Sequence, residues 1–505
     1  MISSVECFLR RVARIPIHGI GLSVDVYSPA LLELHDALDR AGARPEYLEI
    51  FKARTPDLAC IRAALPSIPL AYHAEGLWLT EPGLRWQYPW TNAVETIARH
   101  AEAIGARWVN HECAAKQFGG YSFGTYLPPL FTDAAAQATA ANTALAQEAL
   151  DRWYAQQGQW GSAPLLLLEL PPLTYFAFGS LTVSEYFARI VETVPCGLVL
   201  DIGHLWTVWR YRERRRFGSL EAFAADFLDT FPLDRVVQIH LAGLDLVDGT
   251  NRSGTSGALP FWVDTHAAPV PPVLFDLFRQ VLAHPGLTSL KGIALEVDTK
   301  AIPLIVEEFG RLQNEPACRK VLSHDVGAGH PAVSRANQYP AHSRREGVNP
   351  SPTRRETDER LADLYTAYAR VVSGQDAWET SPLAALAENV DPESLARYTT
   401  RYLPHELLTW GGDLEELFPT LWDTLKKRGM TSEDFVRSWF QESRAVTAPY
   451  DFFYVKLERW VAFVGEAAPD LVEEAAREAG ILRALHAELN DEVWESKERV
   501  GEGSV

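Results

Sequence analysis

Cysteine is scarce and unpatterned. Five thiols, Cys7, Cys60, Cys113, Cys196 and Cys318, are scattered over 505 residues without a CxxC pair. That excludes a zinc ribbon or a disulfide framework and fits a reducing compartment. No strand-like run is followed by GxGxxG or by a P-loop string, so nucleotide chemistry lacks its usual glycine cradle. No uncharged run reaches the ~18–20 residues of a membrane span. The start, MISSVECFLRRVARIPIHG, has no sustained apolar segment and no small-residue cleavage site, so a cytoplasmic protein is expected. Positive charge is in deficit as well: 47 Lys and Arg face 66 Asp and Glu, for a formal charge of −19. Sequence-independent nucleic-acid binding needs the opposite balance, and a basic peptide would be the more comfortable partner.

The rest of the composition, 47% hydrophobic and 22% charged, is that of an ordinary soluble globular protein. The length exceeds the roughly 250–300 residues at which single cores stop growing, so a large domain and a smaller one are expected. From residue 19 to about 313, short β-rich runs alternate with segments of helical period. The runs are 19–26, 47–51, 68–73, 107–111, 164–170, 197–202, 236–243 and 292–298. Eight such repeats suit a (β/α)8 TIM barrel, an α/β fold, better than a doubly wound open sheet. Residues 325–356, rich in Gly, Pro, Ser and Arg, read as a linker. Beyond it, 357–505 carries apolar residues at three- and four-residue spacing and is expected to be a small all-α domain. The expected domains are therefore 1–324 and 357–505.

In such a barrel the reactive rim is where the strands finish. Strand three ends at His73, four at His111, five at Glu169, six at Asp201 with His204 beyond, seven at His240, and eight at Glu296 with Asp298. Asp264 and His266, in WVDTHAAPV, lie in the long connection between strands seven and eight. Each has a bland reading: a single strand-terminal histidine is often structural, and Glu169 or Asp201 serves equally as a helix cap or ion-pair partner. Together they do not, because unpartnered buried charges cost several kcal/mol each and a barrel has no structural need for so many polar strand ends. A cation satisfies them jointly, and the number of groups suits two or three ions. Imidazole mixed with carboxylate, without thiolate, suits iron, manganese or zinc. Glu75 and Glu112 are read as outer groups orienting imidazoles or as solvated loop carboxylates. Cys113 is read as a small packing residue, and Gly203 as the place where the backbone turns between Asp201 and His204.

Over roughly residues 17–315 the chain resembles the multinuclear non-heme iron-dependent oxidative enzymes, which include the methanobactin-biosynthesis oxidase. The likeness lies in GIGLSVDVY, the histidine of LAYHAEGL, NHE, LLLELPPLTYF, CGLVLDIGHLW, QIHLAG, DTHAAPV and ALEVDTKAIP. It implies a xylose-isomerase-like barrel with metal ligands at His73, His111, Glu169, Asp201, His240, Asp264, His266 and Glu296. The family typically has asparagine where His204 stands and another where Gly203 stands, so either imidazole as a ninth ligand binds a first-row metal more tightly there or the site is rearranged. Leu170 replaces the asparagine that follows the strand-five glutamate. The resemblance implies two or three irons of mixed Fe(II)/Fe(III) state, O2 as co-substrate, and oxidative modification of a ribosomally made precursor peptide, often at a cysteine. Glu169, Asp201 and His204 would then stand nearest the chemistry. Such relatives work with a partner protein that binds the leader; the helical tail is a fused counterpart, another peptide-binding module or a dimerisation domain. Competing readings are a divalent-metal sugar isomerase or endonuclease on the related barrel, and a metal-dependent peptide-binding module without catalysis.

Overall fold

The computed structural model describes residues 3–323 and 354–501, except 28, 52, 85–89, 174, 248–260, 265, 298–299, 410 and 442–450. It leaves the side chains of 245–247, 261–264, 354–356, 451 and 487–501 undescribed. Among the described residues twelve strands follow in chain order: β1 Gly19–Asp25, β2 Tyr47–Phe51, β3 Leu70–Ala74, β4 Trp108–Glu112, β5 Ala115–Phe118, β6 Tyr121–Leu127, β7 Leu165–Glu169, β8 Gly197–Asp201, β9 Val236–Leu241, β10 Leu244–Val247, β11 Phe261–Asp264 and β12 Gly292–Val297. Eight of them close into a parallel barrel in the order β1-β12-β9-β8-β7-β4-β3-β2. These are the eight runs expected from the sequence. Their residues are almost all buried, as strands covered on both faces require, which is why they read as continuous apolar runs. The two remaining pairs, β5-β6 and β10-β11, are hairpin insertions.

The N-terminal half of the barrel is filled by an apolar cluster that includes Tyr47, Ala71, Trp108, Leu167, Val199 and Ala294, with Phe8, Val12 and Ile15 from the first helix and its exit. Polar atoms inside it are satisfied: Trp108 Nε1 donates to Gln238 Oε1 (2.8 Å), and Gln238 Nε2 donates to the Tyr47 hydroxyl (3.2 Å). Gly21 is needed for this packing, since a Cβ there would lie 2.3 Å from the Tyr47 carbonyl oxygen.

A strand puts residues i and i+2 on the same face. Two positions beyond these floor residues come Glu49, His73, Asn110, Glu169, Asp201 and Glu296, with Glu112 a further two beyond Asn110. His240 stands two beyond Gln238. An apolar floor and a polar upper layer are thus written on the same strand faces, one register step apart.

By contacts the chain forms two compact units. One comprises 1–115, 127–365 and 382–394; the other comprises 116–126, 366–381 and 395–505. The sequence places a single boundary at 325–356, a segment lying almost wholly outside the described residues. The β5-β6 hairpin, within the expected barrel domain, packs instead with the helical unit. That unit has an aromatic core around the fully buried Trp460, stacked on Phe418 at 5.0 Å and tilted against Trp422 at 5.3 Å. Trp439 ties the hairpin to it by donating Nε1–H to the Ser122 carbonyl (2.9 Å). Among the described residues no helix is long and apolar enough to cross a membrane.

Candidate metal centre

The stretch GLVLDIGHLW becomes β8 followed directly by a helix, Ile202–Val208. Asp201 caps that helix, accepting from the His204 backbone N–H at 2.7 Å. Gly203 sits in the helix's first turn and does not have positive φ. The tight glycine turn expected there is absent, because the cap by itself redirects the chain. Capping and ligation are compatible for Asp201, since the cap engages Oδ1, one of two carboxylate oxygens.

Glu169, at the end of β7, is the hub and is fully buried. Its Oε1 lies 3.0 Å from Nδ1 of His240 on β9. Its Oε2 lies 3.3 Å from Nε2 of His73 on β3 and accepts from Nδ2 of Asn110. His240 Nδ1 is also 3.1 Å from Oε2 of Glu296 on β12. One donor atom each from Glu169, Asp201, His240 and Glu296 lie within 4.8 Å of one another, and the same holds for His73, Glu112 and Glu169. Glu169 belongs to both groups, so it stands where a carboxylate bridging two ions would stand.

The donor set fits cations. Five carboxylates, Glu49, Glu112, Glu169, Asp201 and Glu296, are each under a tenth exposed, and carboxylates at such burial require opposite charge nearby. Oε2 of Glu49 and Oε2 of Glu112 accept no hydrogen bond from the described residues. The protonation states carry the same strain. Burial opposes charge on Glu169, yet His240 and His73 outweigh it and hold the carboxyl well below the usual range. Burial likewise opposes charge on His73, but Glu169 and Glu49 lift it to about 9. Glu112 is pushed far up, first by burial and then by Glu169. Without a cation, protons on imidazoles and on Glu112 must balance the acids; a metal would replace them.

The other sequence candidates are placed as follows. His204 is buried; its Nδ1 bonds to the Leu170 carbonyl, and its Nε2 lies 3.9 Å from Asp201 Oδ1. His266 is partly exposed, with Nδ1 3.6 Å from Glu296 Oε1. Asp264 ends β11, paired with Leu244; its side chain, and Asp298, lie outside the described residues. His111 is brought to neither group. It follows Asn110 by one position and so faces away from the layer that Asn110 and Glu112 share. Its Nδ1 bonds to the Glu112 carbonyl at 2.7 Å, and its Nε2 accepts from the Leu77 backbone N–H at 3.0 Å. Burial holds this imidazole neutral, near pKa 4.

Two residues escape the sequence reading. Glu49, fully buried on β2, places Oε1 2.9 Å from His240 Nε2 and accepts there from Ser23 Oγ at 2.9 Å. Glu112 enters that reading only as an outer group. The available signal is an acid inside the apolar run YLEIF and, for Glu112, the strand period counted from Trp108.

Residues 17–314 match the family model described as RiPP precursor modification enzyme MbnB/TglH/ChrH. The chain belongs to that family. The MbnB/TglH/ChrH match covers the barrel and leaves most of the helical unit outside. A UPF0276 protein of Caulobacter vibrioides (strain NA1000 / CB15N) is 28% identical over 223 residues, 44% of this chain and 67% of its own length. One from Acaryochloris marina is 27% identical over 186 residues, 37% of this chain and 56% of its own length. One from Chromobacterium violaceum is 26% identical over 277 residues, 53% and 83% of the two chains. Among solved structures, endonuclease IV from Thermus thermophilus aligns over 61% of this chain and all of its own, with 17% identity and a TM-score of 0.35.

Proposed function

We propose that this MbnB/TglH/ChrH family member is an iron- and O2-dependent oxidoreductase that modifies a ribosomally synthesised precursor peptide at a cysteine. The observation that supports it is Glu169, shared by two groups of buried imidazole and carboxylate donors at the rim of a closed barrel. In this reading Glu169, Asp201, His240 and Glu296 hold one iron, and His73 and Glu169 take part in a second. His204, Asp264 and His266 serve a third position. Bound iron would supply one-electron redox chemistry toward O2 and would lower the pKa of a coordinated substrate thiol.

The chain's own residues set the conditions for that chemistry. Asn110 fixes one oxygen of Glu169 by its amide N–H, so the hub carboxylate keeps one rotamer. His204 is oriented twice, by its backbone N–H on Asp201 and by Nδ1 on the Leu170 carbonyl. Donation from Nδ1 leaves the Nε2 lone pair as the one able to ligate or accept a proton. Burial of the whole layer excludes bulk water, which strengthens every charge interaction in it. We assign recognition of the precursor to the helical unit, a compact body lying mostly outside the family match.

Co-expression with a short cysteine-bearing precursor, followed by mass spectrometry of the peptide, tests this reading. A mass change that requires both iron and O2 and disappears in Glu169→Ala is expected. An unaltered peptide from protein carrying its full iron complement would refute it.

A further inference from the structure

We infer that the second ion is held by Glu112 rather than by His111, its ligands being His73, Glu112 and Glu169. This rests on the proposal that the rim binds metal and goes beyond it by reassigning a ligand that the sequence pattern places on the neighbouring histidine. Three independent observations carry it.

The first is strand periodicity. Trp108 belongs to the apolar floor, and Asn110, two positions on, reaches Glu169. Glu112 continues that face, whereas His111 lies between and projects to the other side. The register agrees, because Glu112 pairs directly with Glu169 across β4 and β7 while His111 pairs with Leu168.

The second is that both nitrogens of His111 are spoken for. Nδ1 bonds to the Glu112 carbonyl, and the Nε2 lone pair that would ligate a metal accepts the Leu77 N–H. Trp78, the residue after Leu77, has φ +44° and packs edge-on against the same ring at 6.3 Å. A buried, non-glycine residue at positive φ is a strained arrangement, here spent on closing the 77–78 segment over His111.

The third is the state of Glu112. It is 7% exposed, and its Oε2 finds no hydrogen-bond donor among the described residues. One of its oxygens nevertheless lies within 4.8 Å of donor atoms from His73 and Glu169. A buried, unsatisfied carboxylate oxygen costs on the order of 1–3 kcal/mol or more unless something positive meets it. The resulting set, one imidazole and two carboxylates, is harder than one with His111 in place of Glu112, and it favours ferric iron or manganese over zinc at this position.

The test is anaerobic titration of the full-length protein with ferrous iron, counting equivalents and affinities, in wild type, Glu112→Gln and His111→Gln. A crystal of iron-loaded wild type measured at the iron absorption edge is the companion experiment, since His111→Gln removes a buried ring and can fail to fold. Expected are at least two equivalents in wild type and a loss of affinity for one of them in Glu112→Gln. That loss should exceed the ~10–100-fold typical of removing an outer partner. Retention of both equivalents in His111→Gln, and an anomalous peak within bonding distance of Glu112, complete the expected result. Two equivalents in Glu112→Gln with wild-type affinity, or a peak bonded to His111 Nε2, overturns the reassignment while leaving the metal reading intact. Wild type that binds no iron at micromolar concentration overturns both.

Discussion

Nε2 of His240 lies 2.9 Å from Oε1 of Glu49, and the opposite ring nitrogen lies 3.0 Å from Glu169 and 3.1 Å from Glu296. An acid that is itself bonded to Ser23 thus lies behind the imidazole as an ion-pair neighbour, without a hydrogen bond to the ring nitrogen it faces. A ligating histidine whose second nitrogen is fixed by a carboxylate keeps its tautomer and gains basicity.

Glu49→Gln should therefore weaken metal binding by about 10–100-fold, the usual effect of losing an outer-sphere partner, with the barrel still folded. Anaerobic calorimetry with ferrous iron, alongside circular dichroism, measures both. Unchanged affinity in a folded variant would show that Glu49 does not orient His240.

Glu169→Ala should remove both ions at once, because among the described residues this one alone belongs to both donor groups. Glu296→Ala, which belongs to one group, should leave the ion at His73 in place. Metal analysis of the two purified variants separates a shared carboxylate from two unrelated acids, and equal depletion in both would contradict the bridging position.

Chelation should destabilise the barrel strongly. A metal present at 1,000 times its Kd adds about 4 kcal/mol per site, so removing two ions should lower Tm by on the order of 10 °C or more. Glu112, whose carboxyl is pushed far up by burial and by Glu169, then binds a proton more readily folded than unfolded, so the chelated protein should recover part of its stability under mildly acidic conditions. Scanning calorimetry with and without chelator gives the answer; identical transitions would mean that no ion contributes.

Two buried histidines away from the rim set an acid limit. Burial pushes His18 and His100 down to about 4, from an unfolded value near 6.5. Each binds fewer protons folded than unfolded between those values, so unfolding takes up protons there. Their contribution is complete above about pH 6.5 and is lost as pH falls toward 4, by about 1.4 kcal/mol per pH unit for each histidine. His100→Gln should flatten the fall of the urea midpoint across this window relative to wild type. An equally steep decline in the variant would dismiss His100 as a contributor.

Gly21→Ala should be among the most damaging small substitutions in the barrel. The added methyl meets the Tyr47 backbone oxygen at 2.3 Å and its ring at 2.4 Å, and neither can move without disturbing the β1-β2 ladder. Overpacking of this kind costs about 1–3 kcal/mol, and more where the obstacle is backbone. Urea unfolding of the variant measures the cost, and a wild-type midpoint would mean that the strands separate freely.

Legibility in the sequence differed by element. All eight barrel strands could be read, because strands buried on both faces must be apolar throughout and parallel crossovers must be helical. Glu169, Asp201, His240 and Glu296 were legible as polar ends of such runs. Glu49 was hidden because it sits in mid-strand, where an acid among apolar residues gives no end signal. Between His111 and Glu112 the sequence could not choose, since a strand end read as a list of residues does not say which of two adjacent side chains faces inward. The helical tail was legible as helix, but not the recruitment of residues 116–126 into its unit, because nothing local in a hairpin marks its packing partner.

By itself, then, the order of residues determined the eight strands, their closure into a barrel, the apolar floor beneath a polar layer, and the kinds of donor available there. Periodicity and hydrophobicity are local properties, and a linear chain records them directly. Only the tertiary structure decided which acids meet at Glu169, that Glu49 backs His240, and that a backbone N–H from Leu77 occupies His111 while Glu112 faces the layer. Those outcomes depend on interstrand register and on loop conformation. Both are settled by contacts between residues tens to hundreds of positions apart.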